Sequence, residues 1–264
     1  MKIGFIGAGN MGSALAKAAK RCAECEVYIY DKEKSKAIEL SREIGAEFRE
    51  NTEIAAECDY IFLAVKPNII GNAIADMNDV LCERDGYTIV SMAAGVSISK
   101  IEGYLDKKAP VIRIMPNTPA AVGNGMILWC KNDEVTEGIA DGFVKAMSGA
   151  GMIDAIEESK IDAASAISGC GPAFVFMFIE ALADGGVKCG LPRDKAQKYA
   201  AQTVLGSALY MLESEKHPGQ LKDAVCSPGG STIEGVMALE AGAFRATASN
   251  AVVCAYEKTV KLGK

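Results

Sequence analysis

The segment Gly7-Ala8-Gly9-Asn10-Met11-Gly12 lies between a short β-rich run, residues 2–6, and a stretch with apolar side chains at helical spacing. It matches the pattern GxGxxG, in which the first glycine permits a tight turn and the second lets the backbone approach a pyrophosphate. The third lets the helix pack closely on the strand, so that the helix amino terminus faces the anion. The segment predicts a strand, loop and helix that bind a dinucleotide through Gly7, Ala8, Gly9, Asn10, Met11 and Gly12.

An acidic residue follows the second predicted strand, about 20 residues beyond the glycine segment, as in dinucleotide-binding folds. Asp31 comes directly after the run of residues 26–30. A carboxylate there accepts a hydrogen bond from the ribose 2′-OH of NADH and repels the 2′-phosphate of NADPH. Lys32 and Lys34 favour NADPH instead. The coenzyme is therefore expected to be NADPH or NADH, with Asp31 at the ribose.

Strand and helix signals alternate through the first part of the chain and give way to helical signals alone. The β-rich runs are residues 2–6, 26–30, 59–65, 87–92, 111–115 and 126–130. This alternation predicts an α/β domain over residues 1–156 with a mostly parallel sheet. The helical runs that follow are residues 160–188, 193–215 and 242–262, with breaks at 190–192, 217–219 and 227–230. They predict an all-helical second domain over residues 157–264.

Composition narrows the class of protein. Half of the 264 residues are hydrophobic, 23% are charged, and the net charge is −6, which is typical of a soluble enzyme and argues against a nucleic-acid partner. The beginning of the chain lacks a signal-peptide pattern, so a cytoplasmic location is expected. The nine cysteines, among them Cys58, Cys130, Cys189 and Cys254 in apolar surroundings, are interpreted as small buried hydrophobic residues, and no disulfides are expected. Cys22 and Cys25 form a CxxC late in a predicted helix, but no second pair completes a zinc site, and no metal is expected.

The longest apolar run, residues 163–179, approaches the length of a membrane span. It is interrupted by Gly169, Gly171 and Pro172 and bounded by Asp162 and Glu180. It is therefore short and broken for a span. A helix buried on all sides, at a subunit interface, is the favoured interpretation, and no membrane contact is expected.

Seven uncommon strings occur in a characteristic order. They are Leu63-Ala64-Val65-Lys66-Pro67, Ala93-Ala94-Gly95-Val96, Arg113-Ile114-Met115-Pro116-Asn117-Thr118-Pro119, Ser168-Gly169-Cys170-Gly171-Pro172-Ala173, Ala183-Asp184-Gly185-Gly186-Val187, His217-Pro218-Gly219-Gln220-Leu221-Lys222-Asp223 and Ser227-Pro228-Gly229-Gly230-Ser231-Thr232. Together they resemble the pyrroline-5-carboxylate reductase family over nearly the whole chain. Cys170 and Cys226 stand where the family commonly has serine, a near-isosteric change that should not abolish activity.

The resemblance implies a Rossmann-type doubly wound sheet followed by a helical dimerisation domain. It also implies hydride transfer from NAD(P)H to the C=N carbon of 1-pyrroline-5-carboxylate, giving L-proline, in the last step of proline biosynthesis. The resemblance implies that the helical domains join into a homodimer or into a larger ring of dimers. In that dimer the substrate loop of one chain faces the nicotinamide held by the other.

The resemblance also assigns roles to individual residues. Strand-end residues would line the coenzyme crevice, namely Ala64, Val65, Lys66, Pro67, Ala94 and Asn117, while Asn51 would lie near the adenosine. Gly229, Gly230, Ser231 and Thr232 would form the substrate loop, with Thr232 and Lys66 as the catalytic candidates. From the residues alone, a solvated strand-end lysine is the favoured interpretation of Lys66, and an ordinary helix cap that of residues 227–232. The alternative for the second is a carboxylate site, because a helix start exposes unpaired N–H groups. His217, the single histidine, is interpreted as structural.

Two other functions compete with this interpretation. A 3-hydroxyacid dehydrogenase has a similar plan but places a lysine four residues after the second glycine of the string that opens its helical domain. Here that position is Val175, so the proton carrier for alcohol chemistry is missing. A non-catalytic nucleotide sensor would not need the glycine loop at residues 227–232.

Overall fold

The computed structural model describes residues 1–262 and divides them into two compact units. The sheet unit contains residues 1–170 together with the end of the last helix, from Ala255 onward. The helical unit contains Gly171–Cys254. The helix Glu158–Ser168 thus belongs to the sheet unit, although it lies after the change in sequence pattern. The domain boundary at residue 156 stays an interpretation of that pattern.

The sheet has eight strands, and six of them coincide with the predicted β-rich runs. They are β1 (Lys2–Ile6), β2 (Glu26–Tyr30), β3 (Glu47–Phe48), β4 (Tyr60–Leu63), β5 (Thr88–Ser91), β6 (Val111–Met115), β7 (Gly125–Lys131) and β8 (Gly151–Ala155). Their order is β3-β2-β1-β4-β5-β6-β7-β8. All neighbouring pairs are parallel except β6 with β7. The predicted Rossmann-type, mostly parallel sheet is confirmed, and β3 and β8 are additions to it.

Helices cover both faces of this sheet. They are α1 (Asn10–Lys20), α2 (Lys34–Ile44), α3 (Asn51–Glu57), α4 (Ile70–Cys82), α5 (Ile98–Glu102), α6 (Glu137–Met147) and α7 (Glu158–Ser168). Successive side chains of a strand point to opposite faces. Accordingly, Phe5 and Phe62 pack with α1, α2 and α6, whereas Ile61 and Leu63 pack with α3, α4, α5 and α7. Apolar strands therefore form a core on each side of the sheet.

The helical unit contains α8 (Gly171–Lys188), α9 (Arg193–Ser214), α10 (Pro218–Val225), α11 (Ser231–Ala241) and the first part of α12 (Phe244–Leu262). The single helix predicted over residues 160–188 is two helices, α7 and α8, separated at Gly169 and Cys170. The predicted break at 217–219 is instead the start of α10. His217 Nδ1 accepts a hydrogen bond of 3.1 Å from the Gly219 N–H and so caps this helix.

The expectation that residues 163–179 form a helix buried on all sides is wrong for the single chain. Phe176 is 63% exposed and Met177 is 70% exposed. Within α8 only Ala183 is buried. The continuous stretch Glu158–Lys188 has the length and hydropathy of a membrane span, with 11% of its most apolar window buried. Helix α9 packs on α8 at Ala183, Ala196 and Ala200, and Phe176 and Met177 lie outside that contact.

Candidate functional site

The glycine segment forms a close turn between β1 and α1. Gly7 has φ of +113°, a conformation that side chains disfavour. A Cβ atom at Gly7 would also lie 2.4 Å from the carbonyl oxygen of Ala64, and one at Gly12 would lie 2.2 Å from that of Gly7. A Cβ atom at Gly9 would meet nothing within 4 Å. Helix and strand are therefore packed as closely as the backbone allows, and the loop is open on its outer side.

The first turn of α1 presents unused hydrogen-bond donors. Gly9 is the N-cap residue and supplies no side chain, and the Ser13 N–H makes the first intrahelical bond, to the carbonyl of Gly9. The N–H groups of Asn10, Met11 and Gly12 thus precede the helical hydrogen-bond ladder. No acidic residue lies in this turn. These donors and the helix dipole make the loop suited to a pyrophosphate.

Two cavities lie along the carboxyl ends of the strands, where doubly wound sheets bind their ligands. The larger has a volume of about 480 Å³ and is lined by Gly7, Asp31, Asn51 and Val65, among others. The smaller has a volume of about 320 Å³, and its lining includes Gly9, Asn10, Met11, Gly12, Ala64, Val65 and Lys66. Val65 borders both. The order of the strands places the switch point at β1 and β4, beneath these cavities.

Asp31 is fixed by the backbone around it. Its Oδ2 accepts a hydrogen bond of 2.7 Å from the Ala8 N–H, and its Oδ1 accepts one of 2.8 Å from the Glu33 N–H. The Gly7 N–H donates to the Tyr30 carbonyl at 2.7 Å. The end of β2 therefore holds the glycine loop through two successive N–H groups, one of them bound by the Asp31 carboxylate.

The remaining strand-end residues differ in their surroundings. Lys66 is exposed on the smaller cavity, and Pro67 opens a 3₁₀ turn that leads into α4. Ala94 is exposed in the turn after β5. Asn117 is buried, and its amide donates to the Ser168 carbonyl and accepts from the Met126 N–H, each at 2.9 Å. Its side chain thus joins β7 to the end of α7, and neither Asn117, Ala94 nor Pro67 is among the residues that line the two cavities.

The cavities contain residues that the sequence analysis does not assign. Asn72 and Asp76 of α4 line the larger cavity beside Tyr30 and Lys32, and Met92, Met115 and Pro116 line the smaller. Asn72 and Asp76 are four positions apart, so they share one face of their helix. The helical spacing of Asn72 and Asp76 after strand β4 is the signal in the sequence that could have identified these two residues.

The predicted substrate loop, at residues 227–232, lies in the helical unit. Gly230 is the N-cap residue of α11 and provides no side-chain cap, and Gly229 has φ of +68°. Ser231 and Thr232 occupy the exposed first turn. The first N–H groups of α11 therefore have no side-chain acceptor from the cap, as in α1.

The CxxC cysteines lie in the turn after α1 rather than within a helix, because α1 ends at Lys20. All nine cysteines are free. The expectation that they are buried holds for Cys58 and Cys130 but is wrong for Cys189 and Cys254, which are exposed on the helical unit. Burial, with a smaller contribution from a hydrogen bond to Cys22, raises the pKa of Cys25 to about 12. Within residues 1–262, no cluster of three or more His, Cys, Asp or Glu side chains could hold a metal ion.

Comparisons with known proteins agree with this geometry. Residues 158–262 match the family model described as pyrroline-5-carboxylate reductase dimerisation, and residues 2–95 match the one described as NADP oxidoreductase coenzyme F420-dependent. The chain is 41% identical to pyrroline-5-carboxylate reductase of Escherichia coli (strain K12), covering 100% of this chain and 98% of that protein. It is 37% identical to the enzyme of that name from Arabidopsis thaliana, over 100% and 96%.

A solved structure gives the same result in three dimensions. The crystal structure of Plasmodium falciparum pyrroline carboxylate reductase with NADP bound has a TM-score of 0.88 and 35% identity, covering 100% of this chain and 98% of that one. Because the similarity extends over both units at these identities, the chain belongs to the pyrroline-5-carboxylate reductase family.

Proposed function

We propose that the protein reduces 1-pyrroline-5-carboxylate to L-proline with NADPH or NADH, as the last step of proline biosynthesis. The observation that carries this proposal is the full-length identity of 41% to a reductase of that name. The glycine loop supports it, since Gly7 and Gly12 have the close contacts of a dinucleotide-binding turn. When bound, the coenzyme supplies a hydride to the C=N carbon of the substrate.

We assign the coenzyme to the crevice of the sheet unit. The N–H groups at the start of α1 would hold the pyrophosphate, and Asp31 and Asn51 would hold the adenosine half in the larger cavity. Lys66 would lie at the nicotinamide end in the smaller cavity, with Ala64, Val65, Pro67 and Ala94 beside it. Asn117 would act there through its backbone, because its amide already joins β7 to α7.

We assign the substrate to the loop that precedes α11. The N–H groups after Gly230 would bind the substrate carboxylate, because that cap leaves them without a side-chain acceptor. Thr232 would hydrogen-bond the ring nitrogen. Reduction of a protonated imine yields a neutral amine, so neither a strong base nor a metal is required. The residues would therefore act mainly by orienting the imine carbon and holding nitrogen and carboxylate.

The direct test is an assay that follows the oxidation of NADH or NADPH by the purified protein. One sample receives pyrroline-5-carboxylate, one receives the keto partner of a 3-hydroxyacid, and one receives neither. Oxidation with the first substrate alone supports the proposal. Oxidation with the keto acid would indicate a hydroxyacid dehydrogenase, and no oxidation with either would indicate a nucleotide sensor.

The dimerisation domain, residues 158–262, indicates self-association. We propose further that each active site combines the coenzyme crevice of one chain with the substrate loop of its partner, and that dimers can assemble into a larger ring. Mixing two inactive variants tests the shared site. Gly9→Trp blocks the coenzyme loop without a clash at its Cβ, and Gly230→Trp disables the substrate loop. Recovery of activity after subunit exchange supports a shared site, whereas a mixture that stays inactive contradicts it.

We place the enzyme in the cytoplasm, free of nucleic acid and membrane. The free thiols fit a reducing compartment, and the net charge of −6 opposes a phosphate backbone. The apolar stretch Glu158–Lys188 lies within the dimerisation domain, so we assign its exposed surface to subunit contact. Fractionation of cells with an antibody to the protein would test this location.

A further inference from the structure

We infer that Asp31 makes this protein prefer NADH over NADPH, because its carboxylate is fixed at the larger cavity while Lys34, Lys36 and Arg49 near it are paired with other carboxylates. The inference rests on the proposed reductase function and adds a coenzyme specificity to it. The sequence alone leaves the choice open, since Lys32 and Lys34 oppose Asp31. In the structure Lys34 is paired with Glu50, which leaves Lys32 as the lysine that opposes Asp31.

The Asp31 carboxylate cannot turn away from a bound ribose without losing two hydrogen bonds. Its Oδ2 holds the Ala8 N–H at 2.7 Å and its Oδ1 holds the Glu33 N–H at 2.8 Å. Each oxygen of a carboxylate can accept a further bond, so the ribose 2′-OH still finds an acceptor. A 2′-phosphate finds a fixed negative charge, and the Glu33 N–H that could have bound it is already used.

The nearby lysines offer little compensation. Lys34 is paired with Glu50, and Lys36 is paired with Glu33 at 2.5 Å. Lys32 lines the cavity and has no carboxylate within 4 Å among the residues that the structure describes. It is therefore the one lysine of this segment whose charge is not already matched.

The other charged residues at this end of the sheet also offer no free positive charge to a 2′-phosphate. Arg49, which follows β3, is paired with Glu47 at 3.0 Å and lies over the Tyr28 ring at 5.4 Å. Asp76 adds a second carboxylate to the cavity lining. Two acids thus line the cavity against one unpaired lysine. The net charge of these three side chains is negative, which disfavours an anionic ligand, and the 2′-phosphate adds about two negative charges to the coenzyme.

Asp31 also has a positioning role that can be separated from its charge. Because it holds the Ala8 N–H, its removal loosens the loop that receives the pyrophosphate, and this loss affects both coenzymes equally. The loss of the charge affects NADPH alone. The ratio of the two affinities therefore reports specificity, whereas the affinity for NADH reports the combined loss of the loop anchor and of the 2′-OH acceptor.

The experiment is calorimetric titration of the full-length protein with NADH and with NADPH. It is repeated with adenosine 5′-monophosphate and adenosine 2′,5′-bisphosphate, which isolate the adenosine half. The variant is Asp31→Ser, and the matched control is Asp79→Ser, which removes the same charge from α4 at an exposed residue that does not line the cavity. Titration reads out binding even if pyrroline-5-carboxylate is not reduced, so failure of the reductase assignment and failure of this inference are distinguishable.

We expect wild type to bind NADH at least about tenfold more tightly than NADPH, the scale of one discriminating charge contact. Asp31→Ser should move the ratio of affinities toward NADPH by about tenfold or more, for the coenzymes and the fragments alike, while weakening NADH. Asp79→Ser should change the ratio less than about twofold. Equal or tighter binding of NADPH by wild type, or an unchanged ratio in Asp31→Ser, would overturn the inference.

Discussion

The sheet unit and the helical unit place their apolar residues in opposite ways. In the sheet unit, Phe5, Phe62 and Phe143 are fully buried, and the Phe5 and Phe62 rings stack at 4.7 Å. In the helical unit, the buried hydrophobic residues are Ala183, Ala196 and Ala200, all of them small. The sheet unit thus has its core within one chain, whereas the helical unit has large apolar side chains and no large buried one.

The exposed apolar side chains of the helical unit include members of every helix from α8 to α12. Examples are Val175, Phe176, Met177, Leu205, Leu209, Tyr210, Leu212, Val225, Met237, Leu239 and Phe244. Exposed apolar surface of this extent on a soluble protein marks an interaction site. A single chain can therefore form the coenzyme crevice, whereas the helical unit requires a second copy to bury its apolar faces.

A charge introduced into each unit at equal exposure should give the largest contrast. Met177 in α8 is 70% exposed and Val122 in the sheet unit is 71% exposed. Met177→Lys should separate the dimer into chains with little activity, because a lysine at an apolar interface must lose its hydration. Val122→Lys should keep the native mass. Light scattering during gel filtration measures both, and a dimeric, active Met177→Lys protein would contradict the contrast.

The ion pairs of the two units offer a second contrast. Arg113 of β6 is 4% exposed in its side chain and bonds Glu158 at 3.2 Å and Asp162 at 2.6 Å, both on α7. Arg113→Met should lower the free energy of unfolding by about 2–3 kcal/mol, because it leaves two partly buried carboxylates unpaired. The exposed pair of Arg193 with Asp184 in the helical unit should contribute less than about 1 kcal/mol.

Denaturant titration measures this difference. The fluorescence of Trp129, the single tryptophan, reports the unfolding of the sheet unit. Trp129 lies 5.5 Å from Phe143 in the core of that unit. Arg113→Met should lower the denaturant concentration at which the sheet unit is half unfolded, and Arg193→Met should leave it unchanged. Equal shifts in the two variants would show that burial does not distinguish these pairs.

Two threonines of the helical unit, Thr232 and Thr203, separate substrate contact from helix packing. Thr232→Ala should lower kcat/KM for pyrroline-5-carboxylate by about fivefold to 150-fold, the equivalent of 1–3 kcal/mol for one lost substrate hydrogen bond. Coenzyme affinity should stay within about twofold of wild type. The control is Thr203→Ala, whose hydroxyl bonds the Tyr199 carbonyl within α9. Steady-state kinetics with an unchanged kcat/KM would remove Thr232 from the site.

The parts of the fold that sequence predicts are those with a local cause. The strand β4 is apolar on both faces and is recognised by that alone. The sequence does not predict strand β8, because β8 lies at the sheet edge and exposes Met152, Asp154 and Ala155. It does not predict helix α10 either, because Pro218 is interpreted as a break, although proline at the first helical position favours a helix start.

The same division applies to the candidate site. The glycine turn is predictable, because Gly7 and Gly12 act within a single turn. The bonds of Asp31 to Ala8 and of Asn117 to Ser168 join residues 23 and 51 positions apart, and no pattern of spacing predicts them. The substrate loop depends on the family resemblance, since a glycine cap before α11 has the same local sequence whether or not it binds a ligand.

The buried thiols of the sheet unit give the smallest expected effect. Burial raises the pKa of Cys58 from an ordinary value near 9 to about 12. A group whose pKa is raised by folding keeps the folded state stable below the unfolded pKa, and that stability is lost as pH rises toward the folded value. Between pH 9 and 12 the unfolded chain releases the Cys58 proton while the folded chain retains it. At pH 10 the free energy of unfolding should therefore be lower than at neutral pH by about 1 kcal/mol.

Denaturant titrations followed by Trp129 fluorescence at pH 7 to 10 measure this effect. In Cys58→Ala the free energy of unfolding should fall less steeply with pH than in wild type. In Cys189→Ser, which changes an exposed thiol of the helical unit, it should fall with the wild-type slope. Cys58→Ala also creates a small cavity, but that cost is the same at every pH and leaves the slope unaffected. Identical slopes in all three proteins would show that the Cys58 thiol ionises in the folded sheet unit as readily as in the unfolded chain.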